Sequence, residues 1–178
     1  MIGILALQGA FIEHMYLLEK INLKSILVKD VKDFDNIDSL IIGGGESTTM
    51  LKLLKSNNLL QRLNHFIHIE KKPTMGICAG LILLASPEIN ALNITIKRNF
   101  YGSQINSFFD INNFNNKNIK GVFIRAPKIM SIQKDVNILC KNSNNEITGV
   151  KQDNIIGFSF HPELTDETSI HLFFNNIK

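Results

Sequence analysis

Short apolar runs without polar alternation recur along the first half of the chain: residues 2–7, Ser25–Val28, Ser39–Ile42 and Thr74–Ile77. A strand that is apolar at nearly every position has both faces covered, the condition of a parallel sheet sandwiched between helices. The segments between these runs carry helical spacing: 11–21, a stretch opening at Ser47, 59–69 and 79–85. The alternation predicts an α/β fold with a mostly parallel central sheet flanked by helices. The second half is richer in strands, expected at 93–97, 121–124, 137–140, 146–151 and 155–160, before a last helix over 166–177. The Asn- and Lys-rich stretch 112–118 reads as an exposed loop. No repeat or linker interrupts the 178 residues, which are expected to form a single domain, 1–178.

Several function classes fall away at once. The longest apolar runs are far shorter than the roughly 20 residues of a membrane span. Residues 2–7 have no basic flank and are soon followed by Glu13, so they read as a buried first strand and not as a signal peptide. The expected compartment is the cytoplasm, with no membrane partner. The net charge of +3 comes from scattered lysines without interleaved aromatics, which argues against nucleic acid as a partner. The cysteines and histidines stand at no metal-ligand spacing, so no metal is expected. Cys78 and Cys140 read as free thiols.

Open α/β sheets place their sites beyond the carboxyl ends of strands. Three motifs fall there: Gly43-Gly44-Gly45-Glu46-Ser47, Gly76-Ile77-Cys78-Ala79-Gly80 and His161-Pro162-Glu163. The second has the Gly-x-nucleophile-x-Gly pattern of a nucleophile elbow, where small residues flank a sharp turn and push the nucleophile out above the sheet. A helix N-terminus behind the Cys78 sulfur favours the thiolate, and the Ala79 amide points where an oxyanion would form. Hydrolases, proteases and amidotransferases share this geometry, and a buried cysteine on a tight turn would look the same. Cys140 ends an apolar run and reads as core.

A cysteine nucleophile needs a base and a group to orient that base. His14, His65, His68 and His171 lie in helical patterns and read as surface or packing residues. His161 closes an apolar strand, Pro162 stops regular structure, and Glu163 can turn its carboxylate back to the imidazole. The arginines add a constraint. Against 16 lysines there are three arginines, Arg62, Arg98 and Arg125. A planar guanidinium holds a carboxylate bidentately where lysine cannot. Arg62 reads as ordinary surface charge, whereas Arg98 and Arg125 stand in motif-like surroundings. The glycine run is no phosphate cradle, since no Gly-Lys-Ser or Gly-Lys-Thr follows it.

Taken together, Gly76–Gly80 and His161-Pro162-Glu163 resemble the class I glutamine amidotransferases. The resemblance is closest to the branch serving pyridoxal 5′-phosphate synthase. It rests on Leu5-Ala6-Leu7-Gln8-Gly9, Gly43-Gly44-Gly45-Glu46-Ser47-Thr48-Thr49, Arg98-Asn99-Phe100-Tyr101-Gly102, Phe123-Ile124-Arg125-Ala126-Pro127 and Phe160-His161-Pro162-Glu163-Leu164, which span nearly the whole chain in order. It implies a flavodoxin-like three-layer domain that hydrolyses L-glutamine and passes ammonia to a barrel-shaped synthase subunit. On that resemblance Cys78, His161 and Glu163 are the triad. Gly45 and Ala79 supply the oxyanion amides, and Gly45, Glu46, Ser47, Arg98, Ile124 and Arg125 hold the substrate. Gln8 contacts the partner subunit, and pyridoxal phosphate is the product of the complex and no cofactor of this chain. Because free ammonia is wasted without an acceptor, the glycine run 43–45, a loop able to rearrange, is read as the activation element.

Two departures stand out. The chain between Leu84 and Leu92 is shorter than the family pattern, and Ser103 stands where many members carry a second arginine. Three other readings remain open at this level: a glutaminase subunit of another class I amidotransferase, a related cysteine hydrolase, and a non-catalytic relative. The first shares the triad. The second usually has histidine directly after the nucleophile, where this chain has Ala79.

Overall fold

In the computed structural model, which describes residues 1–102 and 107–177, the four apolar runs form adjacent strands. They are β1 (Ile2–Leu5), β2 (Ser25–Val28), β3 (Ser39–Ile42) and β4 (Thr74–Ile77). Alternate residues of each strand point to opposite faces, and both faces are packed. Leu40 and Ile42 join one buried cluster with Leu54, Leu63 and Phe66, while Ile41, Met75 and Ile77 join a second with Leu18, Phe158 and Phe174.

The covering helices are α1 (Phe11–Lys20), α2 (Ser47–Ser56), α3 (Leu59–Asn64) and α4 (Ala79–Leu84). A wider helical turn, His65–Ile69, prolongs α3. One face of the sheet carries α2, α3 and α4, and the other carries α1 and the last helix, α5 (Ser169–Asn175). Helix α4 lies hard on β3: a Cβ at Gly80 would sit 2.0 Å from the Ile42 carbonyl oxygen, so only glycine fits. Arg62, expected as plain surface charge, bridges Asp35 and Glu70 and stacks over Phe34, tying α3 to the turn before β3.

The second half adds β5 (Ile94–Lys97), β6 (Phe108–Phe114), β7 (Lys117–Phe123), β8 (Lys128–Ile132), β9 (Asn137–Asn142), β10 (Ile147–Gln152) and β11 (Ile155–Phe158). Among the described residues the main sheet has nine strands in the order β2-β1-β3-β4-β11-β10-β9-β6-β7. The pairings from β2 to β11 are parallel, and those from β11 to β7 are antiparallel. A separate ribbon pairs β5 with β8. The short link after α4 closes as a turn, with the Ala91 and Leu92 amides donating to the Leu84 carbonyl at 2.7 and 3.2 Å.

Residues 112–118, read as an exposed loop, are the arms and turn of the β6–β7 hairpin. Asn115 and Asn116 both have positive φ, 49° and 61°, the conformation that a two-residue hairpin turn demands and asparagine tolerates. Asn112 is buried and accepts a hydrogen bond from the Thr148 hydroxyl at 2.8 Å. A polar stretch can be a strand when its buried polar groups find partners and its other face meets water. Among the described residues no helix is long and apolar enough to cross a membrane.

Candidate active site

The register of the parallel strands brings the motifs together. Strand β11 pairs with β4 so that Phe158 stands beside Ile77, and the Cys78 amide donates to the Phe158 carbonyl at 2.8 Å. Cys78 therefore leaves the sheet one residue past the last rung. Its backbone has φ 49° and ψ −98°, a strained conformation for a side-chain-bearing residue. The strain turns the chain from β4 into α4 and presents the sulfur at the strand end. Sγ lies 3.9 Å from the Ile124 carbonyl oxygen.

Three residues beyond Phe158, the His161 amide donates to the Val122 carbonyl at 2.8 Å, so the antiparallel half of the sheet fixes the histidine backbone. A 3₁₀ turn, Pro162–Leu164, then swings Glu163 back, and its Oε1 lies 2.7 Å from His161 Nδ1. Because an ionised carboxylate only accepts, Nδ1 carries the proton. Nε2 is left for the thiol. Burial pulls the His161 imidazole down in pKa, but its hydrogen bonds and charge interactions with Cys78 and Glu163 outweigh burial and push it up to about 10. The imidazolium is thus the favoured form of His161 beside Cys78. Glu163 is buried, which alone would raise it, but His14 and His161 hold its carboxyl below the ordinary range.

Room for the His161 ring comes from the glycine run. A Cβ on Gly44 would sit 2.2 Å from His161 Cε1. The run is tethered from the first strand–helix turn: the Ala10 amide donates to the Gly44 carbonyl at 2.9 Å, and Gln8 Oε1 accepts from the Glu46 amide at 2.8 Å. Glu46 caps α2, accepting from the Thr48 and Thr49 amides and from the Thr49 hydroxyl. The Thr49 hydroxyl, ahead of the two amides, holds its carboxyl down at about 2. Arg98 reaches the same helix start and donates to the Ser47 and Thr48 hydroxyls. Arg125 is exposed at the rim with φ 49°.

These groups surround one cavity of about 510 Å³, lined by Gln8 and by every expected triad, oxyanion and substrate residue except Glu163, which lies buried behind His161. The arrangement can take a small molecule with an electrophilic carbon at Cys78 and a carboxylate near the two guanidinium groups. Cys140 is elsewhere in the core, where burial pushes its thiol up to about 12. Ser103 lies outside the described residues. His14 and His171, expected as surface or packing residues, are packing residues behind Glu163. Both are fully buried, with His14 Nδ1 2.9 Å from His171 Nε2, and His14 Nε2 stands 3.8 Å from Glu163 Oε2. They are 157 residues apart. The only sequence signal was a histidine on the inward stripe of each helix.

Comparison with known proteins agrees with this geometry. The sequence pattern of the SNO glutamine amidotransferase family matches residues 4–177. The chain is 43% identical over 175 residues to the pyridoxal 5′-phosphate synthase subunit PdxT of Francisella tularensis subsp. tularensis strain WY96-3418, covering 97% of this chain and 96% of that protein. The PdxT of subsp. novicida strain U112 is similar to the same extent. A crystal structure of a glutamine amidotransferase superimposes with a TM-score of 0.92 at 30% identity, covering 99% of this chain and 97% of the other. The PurLQS structure from Thermotoga maritima, at 15% identity and a TM-score of 0.75 over 98% of this chain and 97% of that one, shares the fold.

Proposed function

The chain belongs to the SNO glutamine amidotransferase family, and on that premise we propose that it is one glutaminase domain, 1–178, serving pyridoxal 5′-phosphate synthase. It hydrolyses L-glutamine to L-glutamate and ammonia in the cytoplasm and hands the ammonia to a barrel-shaped synthase subunit. The observation that carries the reading is the strained Cys78 at the end of β4, facing a His161 whose other nitrogen is 2.7 Å from buried Glu163, in a cavity rimmed by Arg98 and Arg125.

The Cys78 thiolate adds to the side-chain carboxamide carbon, forming a C–S bond as the carbonyl electrons move to oxygen. The amides of Gly45 and Ala79 stabilise that oxyanion. His161 gives its Nε2 proton to the leaving nitrogen as the C–N bond breaks, and ammonia departs. Water, deprotonated by His161, then adds to the thioester, and glutamate leaves as the thiol is restored. Glu163 keeps Nδ1 protonated throughout and stabilises the imidazolium. Ser47, Glu46, Arg98, Ile124 and Arg125 hold the amino acid end: guanidinium for the α-carboxylate, carboxylate for the α-ammonium. Gln8, whose side chain already accepts from the Glu46 amide, couples the docked subunit to the glycine run 43–45, the activation element.

The test is ammonia release from glutamine by the purified chain, alone and with a synthase barrel subunit, using Cys78→Ala as blank. Release that rises when the subunit is added and falls by about 10³-fold or more in Cys78→Ala supports both the branch and the nucleophile. Full activity alone, or no response to the subunit, assigns the chain to another amidotransferase, and activity surviving in Cys78→Ala removes the nucleophile.

A further inference from the structure

Behind the triad carboxylate lies a pair of histidines that the mechanism above does not use. His14 on α1 and His171 on α5 are both fully buried, and their rings meet with His14 Nδ1 2.9 Å from His171 Nε2. The other nitrogen of His14, Nε2, faces Glu163 Oε2 at 3.8 Å. Neither of these two atoms has a hydrogen-bond partner among the described residues, nor has His171 Nδ1. Glu163 Oε1 is already engaged by His161. Two buried, unpartnered polar atoms facing each other with no room for a water between them form a contact waiting to close, since hydrogen bonds around reacting groups tighten as substrate binds.

The proton positions follow from the carboxylate. Glu163 accepts only, so a contact at Oε2 requires a proton on His14 Nε2. Unless His14 is charged, its Nδ1 is then bare and must accept from His171 Nε2–H. His171 in turn is left with a bare Nδ1, the atom found without a partner. Burial lowers the pKa of His14, opposed by Glu163 and Glu13 and assisted by His161, and burial lowers His171 to about 3. These are the charged and titratable groups that face the pair, and they leave both rings neutral near pH 7. His14 also packs beneath the glycine run, with its Cδ2 3.1 Å from where a Gly43 Cβ would stand. It therefore touches the activation element, the triad and α5 at one point.

We propose that His14 is a positioning residue of the triad: as a neutral imidazole held by His171, it donates from Nε2 to Glu163 Oε2, so that both carboxylate oxygens are bound and His161 keeps its Nδ1–H tautomer. The inference rests on the triad reading above, and its test is built so that the two fail separately. Nitrogen-15 NMR of the histidine-labelled wild-type protein near pH 7, with His14→Gln and His171→Gln for assignment, reads the tautomers without glutamine or a partner. Expected are a protonated Nε2 and a bare Nδ1 on both His14 and His171. A protonated Nδ1 on His14, in either the neutral or the charged ring, overturns the proposal.

Function supplies the second readout. Glutamine places its amide nitrogen near the His14 Nε2 position, so His14→Gln retains the donor and His14→Leu removes it. In His14→Leu, kcat falls about 10-fold or more with KM little changed, and the pH profile of Cys78 alkylation by iodoacetamide shifts. His14→Gln restores both to within about threefold. A merely structural role would lower stability in both variants and leave the alkylation profile in place, which also overturns the proposal. Alkylation needs no glutamine, so a shifted profile without glutaminase activity would retain the His14 link and reject the substrate. If His14→Leu does not fold, the wild-type tautomers decide.

Discussion

The two halves of the main sheet use their strands differently. From β2 to β11 the strands are short and parallel, and inside the edge strand β2 they are buried on both faces; Leu40, Ile41 and Ile42 are consecutive and all fully buried. From β10 to β7 they are longer and antiparallel, and one face meets water: Phe109 and Ile111 are exposed while Phe114 is buried. The proposed nucleophile and its base hang from the ends of the parallel half, at Cys78 after β4 and His161 after β11. The antiparallel half contributes backbone: the Val122 carbonyl holds the His161 amide, and the Ile124 carbonyl lies beside the sulfur. A wholly buried strand end is a rigid mount, while a half-exposed ribbon can vary in sequence and still supply carbonyls.

The largest effect that would sharpen this contrast is Ile41→Ala, which opens a cavity in the middle of the parallel half. Denaturant unfolding should show a loss of about 2–5 kcal/mol; a loss below about 1 kcal/mol would mean that this half is not the tighter core. Next comes Gly44→Ala. The new Cβ would collide with the ring of His161, the proposed base, and a displacement of about 1 Å there is expected to cost roughly 10²-fold in rate. Ammonia release should fall by that factor with the unfolding midpoint nearly unchanged, and an active variant would show that the ring has another seat.

Acid tests the buried face under the parallel strands. His171 has a folded pKa of about 3, below the ordinary histidine value. Between the unfolded value and about 3, the unfolded chain binds a proton that the folded chain refuses, so stability falls as pH falls. His14 acts in the same direction. His161, raised to about 10, adds stability that is fully present below the ordinary histidine value and lost as pH rises through about 10, so it does not contribute to the acid side. Replacing His171 with Gln should flatten the loss of stability between pH 7 and 4 by an amount of order 1 kcal/mol or more. An unchanged slope in pH-dependent thermal unfolding would mean that the ring is hydrated. The smallest effect is expected for Ile111→Ala on the open face of β6, within about 0.5 kcal/mol by denaturant unfolding. A loss like that of Ile41→Ala would mean that this face is covered in solution.

Much of this architecture was legible beforehand, and the reasons are local. Short continuous apolar runs between turn signals favour strands of a covered sheet, so β1 to β4 stand where the pattern put them, within a residue or two at the ends. Small residues around Cys78 announce a sharp turn, and Pro162 after His161 announces a strand exit. The hairpin at 112–118 was not legible, because its strands are polar on one face and its buried Asn112 is satisfied by Thr148, 36 residues away. Arg62 was misjudged for the same reason: its partners Asp35 and Glu70 lie on other segments.

Beyond the family resemblance, which pointed to the candidate substrate residues, the amino-acid sequence by itself determined the alternating elements, the elbow at Cys78 and the neighbouring His161 and Glu163. Each of these depends on bonded neighbours or on a period of two or 3.6 residues. Only the tertiary structure decided that β11 lies beside β4, which sets His161 against Cys78, and that Gly44 leaves the space for its ring. Only the tertiary structure, too, set His14 and His171 behind Glu163. Their meeting depends on how α1 and α5 pack across one face of the sheet, and packing between segments 157 residues apart leaves no periodic trace in the chain.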